Sequence, residues 1–171
     1  MSFIGIVSDN KCFEVIKDKV KKYDEEKKIN LIQITSKSIE NIKNIKFEII
    51  IINGEINKLK EYNENLKKLC DNSKYLIINT DVNKMEDFEI CKNTEVITYG
   101  LNHKSTVTVS SISENNTLIY LQRNIKNLKG EIIEVEEKRI KINEKSKCKV
   151  YDIMIIYIIF ILYGKKIIFE V

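Results

Sequence analysis

The run "FEIIIIN", Phe47 to Asn53, sets the tightest limit on how this chain folds. Four isoleucines in succession send β-branched side chains to both sides of a strand, so both faces of that strand must be covered. Strands of this kind lie inside parallel sheets with helices on each face. The surrounding sequence repeats the pattern: "FIGIV" from Phe3 to Val7, "INLIQI", "KYLIINTD" and "EVITYG" read as four further strands. Between them, Glu14–Lys27 carries Val15, Ile16, Val20 and Tyr23 at helical spacing, and Asn57–Cys70 carries Leu59, Tyr62, Leu66 and Leu69 on one face. Short buried strands joined by crossover helices predict an α/β fold, a mainly parallel sheet flanked by helices.

After Gly100 the period changes. "STVTVSSI", "NTLIYLQR" and "EIIEVEEKRIKI" alternate apolar and polar residues, with "ENN" and "NLKG" as turn signals, and predict a three-stranded antiparallel appendage from about Thr106 to Ile142. The chain then reads as an apolar helix around Ile155 and a short strand, "IIFEV". No repeat or Pro/Ser-rich linker interrupts it. The expectation is a single domain over 1–171: an α/β core at 1–104, the antiparallel appendage at 105–143, and the closing helix and strand at 144–171.

Composition narrows the function classes. The net charge is +4, but the two signs are interspersed and only Arg123 and Arg139 are arginine, so a nucleic-acid partner is not expected. Abundant Ile, Lys and Asn with no Ala, Pro or Trp reflect a compositional drift, and the basic balance follows from it. Cys12, Cys70, Cys91 and Cys148 are too widely spaced for a zinc site, with only His103 to join them, and read as reduced, mostly buried thiols of a cytoplasmic protein. The uncharged run from Ile153 to Gly164 is well short of the ~20 residues of a spanning helix, so it reads as a buried helix and no membrane span is expected.

The ends of the predicted strands carry the candidate chemistry, because ligands in open α/β sheets bind beyond the carboxyl ends. The "SDNKC" segment, Ser8, Asp9, Asn10 and Lys11 before Cys12, stands where a phosphate loop would sit. It has none of the glycines that let backbone N–H groups turn inward, and Cys12 replaces the Ser or Thr that would hold a metal. Asn79 and Asp81 close the fourth strand and read either as a site or as a turn whose side chains cap the backbone. Tyr99 and Gly100 close the fifth with the same two readings. Cys12, at a helix start beside Lys11, predicts a lowered thiol pKa. His103 reads as a surface histidine, and Glu134, Glu136 and Glu137 as a solvated strand face. Arg123 could hold a phosphate or carboxylate, with an ion pair to a strand neighbour as the simpler expectation.

The segments "EYNENLKKLCDNSKYLIINTDVNK", "VITYGLNHKSTVTVSSI" and "VYDIMIIYIIFILYGKKI" together resemble the ATPase (central) domain of the Mur ligases, relatives of the folylpolyglutamate synthases. The likeness spans about Phe47 to Gly164, and more broadly the chain from Phe3; the family's first and third domains lie outside it. Asn79, Asp81, Tyr99 and Gly100 match family positions, and the order of elements matches too. The family's glycine-rich phosphate loop appears here as "GIVSDNKC", its metal-holding Thr-Asn and Asp-His motif as "INGEIN", and its Gly-x-His-Asn as "SKCK". Its carbamylated lysine aligns with Leu66, or with Lys67 after one residue of slippage. The resemblance therefore implies a degenerate relative with no catalytic or metal residues and no required cofactor. Its role would be binding or assembly in cell-envelope precursor metabolism, through a residual nucleotide or UDP-sugar pocket at Ser8–Lys11, Asn79, Asp81, Tyr99 and Gly100, or through a homo-oligomer or protein partner. The alternative it implies is an ATP-dependent ligase completed by another subunit.

Overall fold

A computed structural model describes residues 2–56, 63–88, 93–143 and 146–165. Its main sheet has eight strands in the order β10 (Glu136–Lys141), β7 (Asn116–Leu121), β6 (Val107–Ile112), β5 (Glu95–Tyr99), β4 (Tyr75–Asn79), β3 (Ile49–Ile52), β1 (Ser2–Val7), β2 (Ile29–Ile34). The strands β1 to β5 run parallel. Their order, 2-1-3-4-5, is one of the two common doubly wound arrangements. It turns back between β1 and β3, so the connections leaving those two strands pass to opposite faces.

The isoleucine run behaves as its sequence requires. Ile49 and Ile51 point into one core and Ile50 and Ile52 into the other, and all four are fully buried. β1 and β4 divide in the same way: Ile4, Ile6, Tyr75 and Ile77 to the first face, Val7, Leu76 and Ile78 to the second. The first face is covered by α1 (Asn10–Tyr23) and α4 (Val150–Leu162), the second by α2 (Ile39–Ile42) and α3 (Asn63–Asp71). On α1, Phe13, Ile16 and Val20 form the buried stripe. The helix begins at Asn10, two residues before the expected start at Cys12, because Asp9 caps it, its side chain accepting the Cys12 N–H at 2.9 Å. On α3, Leu66, Leu69 and Cys70 are buried; residues 57–62 of the predicted helix lie outside the described residues.

α4 is the apolar helix the sequence anticipates, and it is buried on every side, from Asp152 through Leu162. It packs against both the sheet and α1, so it needs no polar stripe. Among the described residues, no helix is long and apolar enough to cross a membrane. The short strand expected at the chain's end, within 166–171, lies outside the described residues, as does Cys91.

The antiparallel strands are present but arranged differently from the expectation. β6 (Val107–Ile112), β7 (Asn116–Leu121) and β10 (Glu136–Lys141) pair antiparallel. They extend the main sheet, joined to β5 by the single register pair Tyr99↔Val107. Thr98 and Thr106 reinforce that joint: the Thr106 N–H donates to Thr98 Oγ1 at 2.9 Å. The inward residues Ile119, Leu121 and Ile140 lie under α4, which explains the attachment. The stretch read as one long strand, Glu131–Ile142, is in fact broken. β8 (Ile125–Lys126) and β9 (Ile132–Ile133) form their own two-stranded hairpin before β10 begins.

Candidate functional site

The carboxyl ends of β1, β3, β4 and β5 meet the first turns of α1 and α4. Here the structure gathers most of the candidate residues. Asn53, at the exit of β3, is their hub: its Oδ1 accepts the Tyr99 hydroxyl at 2.6 Å and Asn79 Nδ2 at 3.3 Å, and its Nδ2 donates to Cys12 Sγ at 3.1 Å. The Cys12 thiol donates in turn to Asp152 Oδ1 at 3.0 Å. Asp152 is 3% exposed, and its other oxygen accepts the Lys149 N–H at 2.8 Å, closing the first turn of α4. One chain of hydrogen bonds thus ties three strands to two helices.

Cys12 corrects the sequence expectation. Its thiol pKa is raised, not lowered: burial acts first, then the hydrogen bond to Asp152, then the charges of Asp152 and Asp9. Only the Asn53 side chain works against them. Burial and the Asp152 carboxylate on the sulfur outweigh the helix N-terminus and the exposed Lys11. At neutral pH, a thiolate-specific reagent should therefore label native Cys12 at least about a hundredfold more slowly than the denatured chain; comparable rates would show an open thiol. Cys70 is pushed to about 12, first by burial and then by Asp71.

Asp81 serves as a clamp. Its carboxylate accepts the Leu101 N–H at 2.6 Å, Asn102 Nδ2 at 2.9 Å and the Tyr151 hydroxyl at 2.9 Å, binding the β4 end to the β5 exit and to α4. Partial burial alone would raise its pKa; the Asn102 side chain, the Leu101 N–H and Tyr151 together hold it below the ordinary value. Asn79, 2% exposed, accepts the Asp81 N–H on Oδ1 at 3.0 Å, the turn geometry that was one of its two readings. Gly100 has a packing reason: a Cβ there would lie 2.8–2.9 Å from the Asp81 carboxylate. Tyr99 is fully buried with its pKa driven up, by burial first and then by the acidic groups at Cys12 and Asp152.

The "SDNKC" loop divides. Asp9 is spent on capping α1, Asn10 and Lys11 are exposed, and the Ser8 carbonyl accepts Gln33 Nε2 at 3.1 Å. Ser8 Oγ is buried with no hydrogen-bond partner among the described residues. His103 is exposed in the loop after β5. Arg123 donates to the Lys104 carbonyl at 3.3 Å, so its guanidinium meets a backbone acceptor in place of the expected carboxylate. Glu136 departs from the solvated-face expectation: it is half-buried and accepts the Tyr157 hydroxyl at 2.9 Å. Leu66 faces the second core. Among the described residues, no three His, Cys, Asp or Glu side chains are placed to hold a metal ion.

Sequence reasoning missed Asn53, Asn102, Tyr151 and Asp152. Two signals pointed to them: Asn53-Gly54 ends the strand beside the turning point of the sheet, and Asp152 is the lone charge entering an apolar helix. Fold and site together define a doubly wound α/β domain whose strand-end crevice is laced by its own side chains. No protein-family model matches the chain, and no curated protein matches it in sequence.

Proposed function

We propose that this chain is a non-catalytic binding or assembly domain, with cell-envelope precursor metabolism as the setting suggested by its likeness to the Mur-ligase central domain. The observation that carries the proposal is the self-satisfaction of the strand-end groups. The Asp9 carboxylate sits on the first-turn N–H of α1, where a phosphate would bind. The Cys12 thiol is committed to Asp152, and Asp81 to three donors. Phosphoryl transfer depends on free donors and metal-holding carboxylates aimed at the reacting phosphate. Here the same groups are turned on one another. The alternative, an ATP-dependent ligase completed by another subunit, requires Asp9 to leave its cap before any phosphate can approach.

The test pairs hydrolysis with binding. Incubation with magnesium and ATP should release no phosphate above the blank, and ATP should not shift the melting temperature. Turnover abolished by Lys11→Ala would establish the ligase alternative; a saturable ATP shift without turnover, lost on Lys11→Ala and Asp81→Asn, would favour a residual nucleotide pocket as the binding role. A light-scattering mass on the same sample separates a homo-oligomer from a monomer that awaits another partner.

A further inference from the structure

The opposite end of the sheet holds a second recess. It is a cavity of about 830 Å³ between the α1–β2 turn, the amino ends of β1 and β3, the β8–β9 turn and the end of α4. That volume lies within the range of small-molecule sites, roughly 300–1,000 Å³. The hydroxyls of Ser2 and Tyr163 and three carboxylates, Glu25, Glu26 and Glu48, line it. Ser2 Oγ donates to Glu48 and shares a second hydrogen bond with the Tyr163 hydroxyl. Burial pushes the Tyr163 pKa to about 12, so this group is a neutral hydroxyl at physiological pH. The Tyr23 side chain adds an aromatic wall.

Of the four lysines that line it, Lys28 pairs with Glu26 and Lys165 with Asp24, leaving Lys27 on the α1–β2 turn and Lys129 on the β8–β9 turn. Both are exposed, and among the described residues neither is paired with a carboxylate. Each turn is fixed from beneath by a buried polar side chain. Asp24, 4% exposed, accepts the Ile29 N–H at 2.7 Å and also holds Lys165. Asn127, 3% exposed, accepts the N–H groups of Lys129 and Glu131, each at 2.9 Å. Lys27 is also the one described non-glycine residue in the left-handed region, at φ 51°. A lysine there carries backbone strain that glycine would avoid, and such strain gathers at functional sites.

We infer that this recess binds a small phosphorylated polyol, with its hydroxyls on Glu48, Ser2 and Tyr163 and its phosphate between Lys27 and Lys129. Glu48 accepts one hydroxyl from Ser2 and keeps lone pairs for ligand hydroxyls. Two lysine ammonium groups, on turns whose backbone is already fixed, supply charge-assisted donors for a phosphate. The site lies at the far end of the sheet from the strand-end crevice. A failure here leaves the non-catalytic reading intact, and an ATP shift at the crevice would leave this site untouched.

Calorimetric titration of the full chain with sorbitol bearing a phosphate on a terminal hydroxyl tests the assignment, with sorbitol and inorganic phosphate titrated alone as controls. Saturable binding at about millimolar or tighter is expected, with each control at least about tenfold weaker. Lys27→Gly combined with Lys129→Ala should weaken binding at least about tenfold. Lys27→Gly should leave the melting temperature unchanged or higher, because it relieves the left-handed backbone. Glu48→Gln should weaken the phosphorylated polyol more than inorganic phosphate. No saturation by about ten millimolar, equal affinity for inorganic phosphate, or affinity unmoved by the lysine variants would each overturn the assignment.

Discussion

Asp152→Ala should destabilise this fold by about 3 kcal/mol, the largest single-residue effect expected outside the apolar core. The side chain is 3% exposed and accepts two donors, the Cys12 thiol and the Lys149 N–H. Removing it uncaps α4 and leaves the half-buried Cys12 thiol and the Lys149 N–H without this acceptor; losing a cap alone costs about 1 kcal/mol. Asp152→Asn keeps an acceptor oxygen and should cost about half as much. A second readout separates the network from general loosening. With the Asp152 charge gone, the Cys12 thiol pKa should fall, and native-state labelling should accelerate at least about tenfold. Denaturant melts of Cys12→Ala, Asp152→Ala and the double variant should show a coupling of about 1 kcal/mol; strict additivity would sink the network.

Gly100→Ala is expected to cost about 2 kcal/mol although it adds one methyl group. The new Cβ meets three atoms of the Asp81 carboxylate at 2.8–2.9 Å, so the carboxylate must give up its contacts with Leu101, Asn102 and Tyr151. The prediction is sharpest as a pair. In an Asp81→Ala background the obstruction is gone, and Gly100→Ala should become close to neutral. A penalty that persists unchanged there would point to the backbone of Gly100 instead. The same clamp has a pH signature. Asp81 has a lowered folded-state pKa, so its contribution is present above its unfolded value and is lost as pH falls through the folded one. The residue is largely exposed, so solvent screening limits that increment to below about 1 kcal/mol. Asp81→Asn should flatten the acid side of the stability profile over that interval.

The two ends of the sheet are organised differently, and this difference shapes the functional reading. At the carboxyl ends, side chains that could serve a ligand are consumed in holding α1 and α4 to β3, β4 and β5. At the amino ends, the hydroxyls of Ser2 and Tyr163, three carboxylates and four lysines stand around open space, and two of the lysines, Lys27 and Lys129, have no carboxylate partner among the described residues. At the end of the sheet where ligands ordinarily bind in this architecture, the described polar side chains are therefore largely engaged with one another.

Much of this architecture is written locally in the chain. The run Ile49–Ile52 demands cover on two faces, because successive strand side chains point in opposite directions and none here is polar. The spacing of Phe13, Ile16 and Val20 makes a helical stripe, and the uncharged stretch after Asp152 makes a helix with no face for water. The β8 and β9 strands, two residues each, are too short to show a period. The placement of the meander and the strand order 2-1-3-4-5 also escape local reading, since they depend on which covered faces meet. The site escapes it most completely. Cys12 and Asp152 are 140 positions apart, and whether a helix-terminal thiol is activated or silenced depends on which charge is brought against it. Periodicity reports how each segment divides apolar from polar, a property of neighbours in sequence. Tertiary packing alone decided that a carboxylate from the last helix, and not a ligand, would occupy the sulfur of the first.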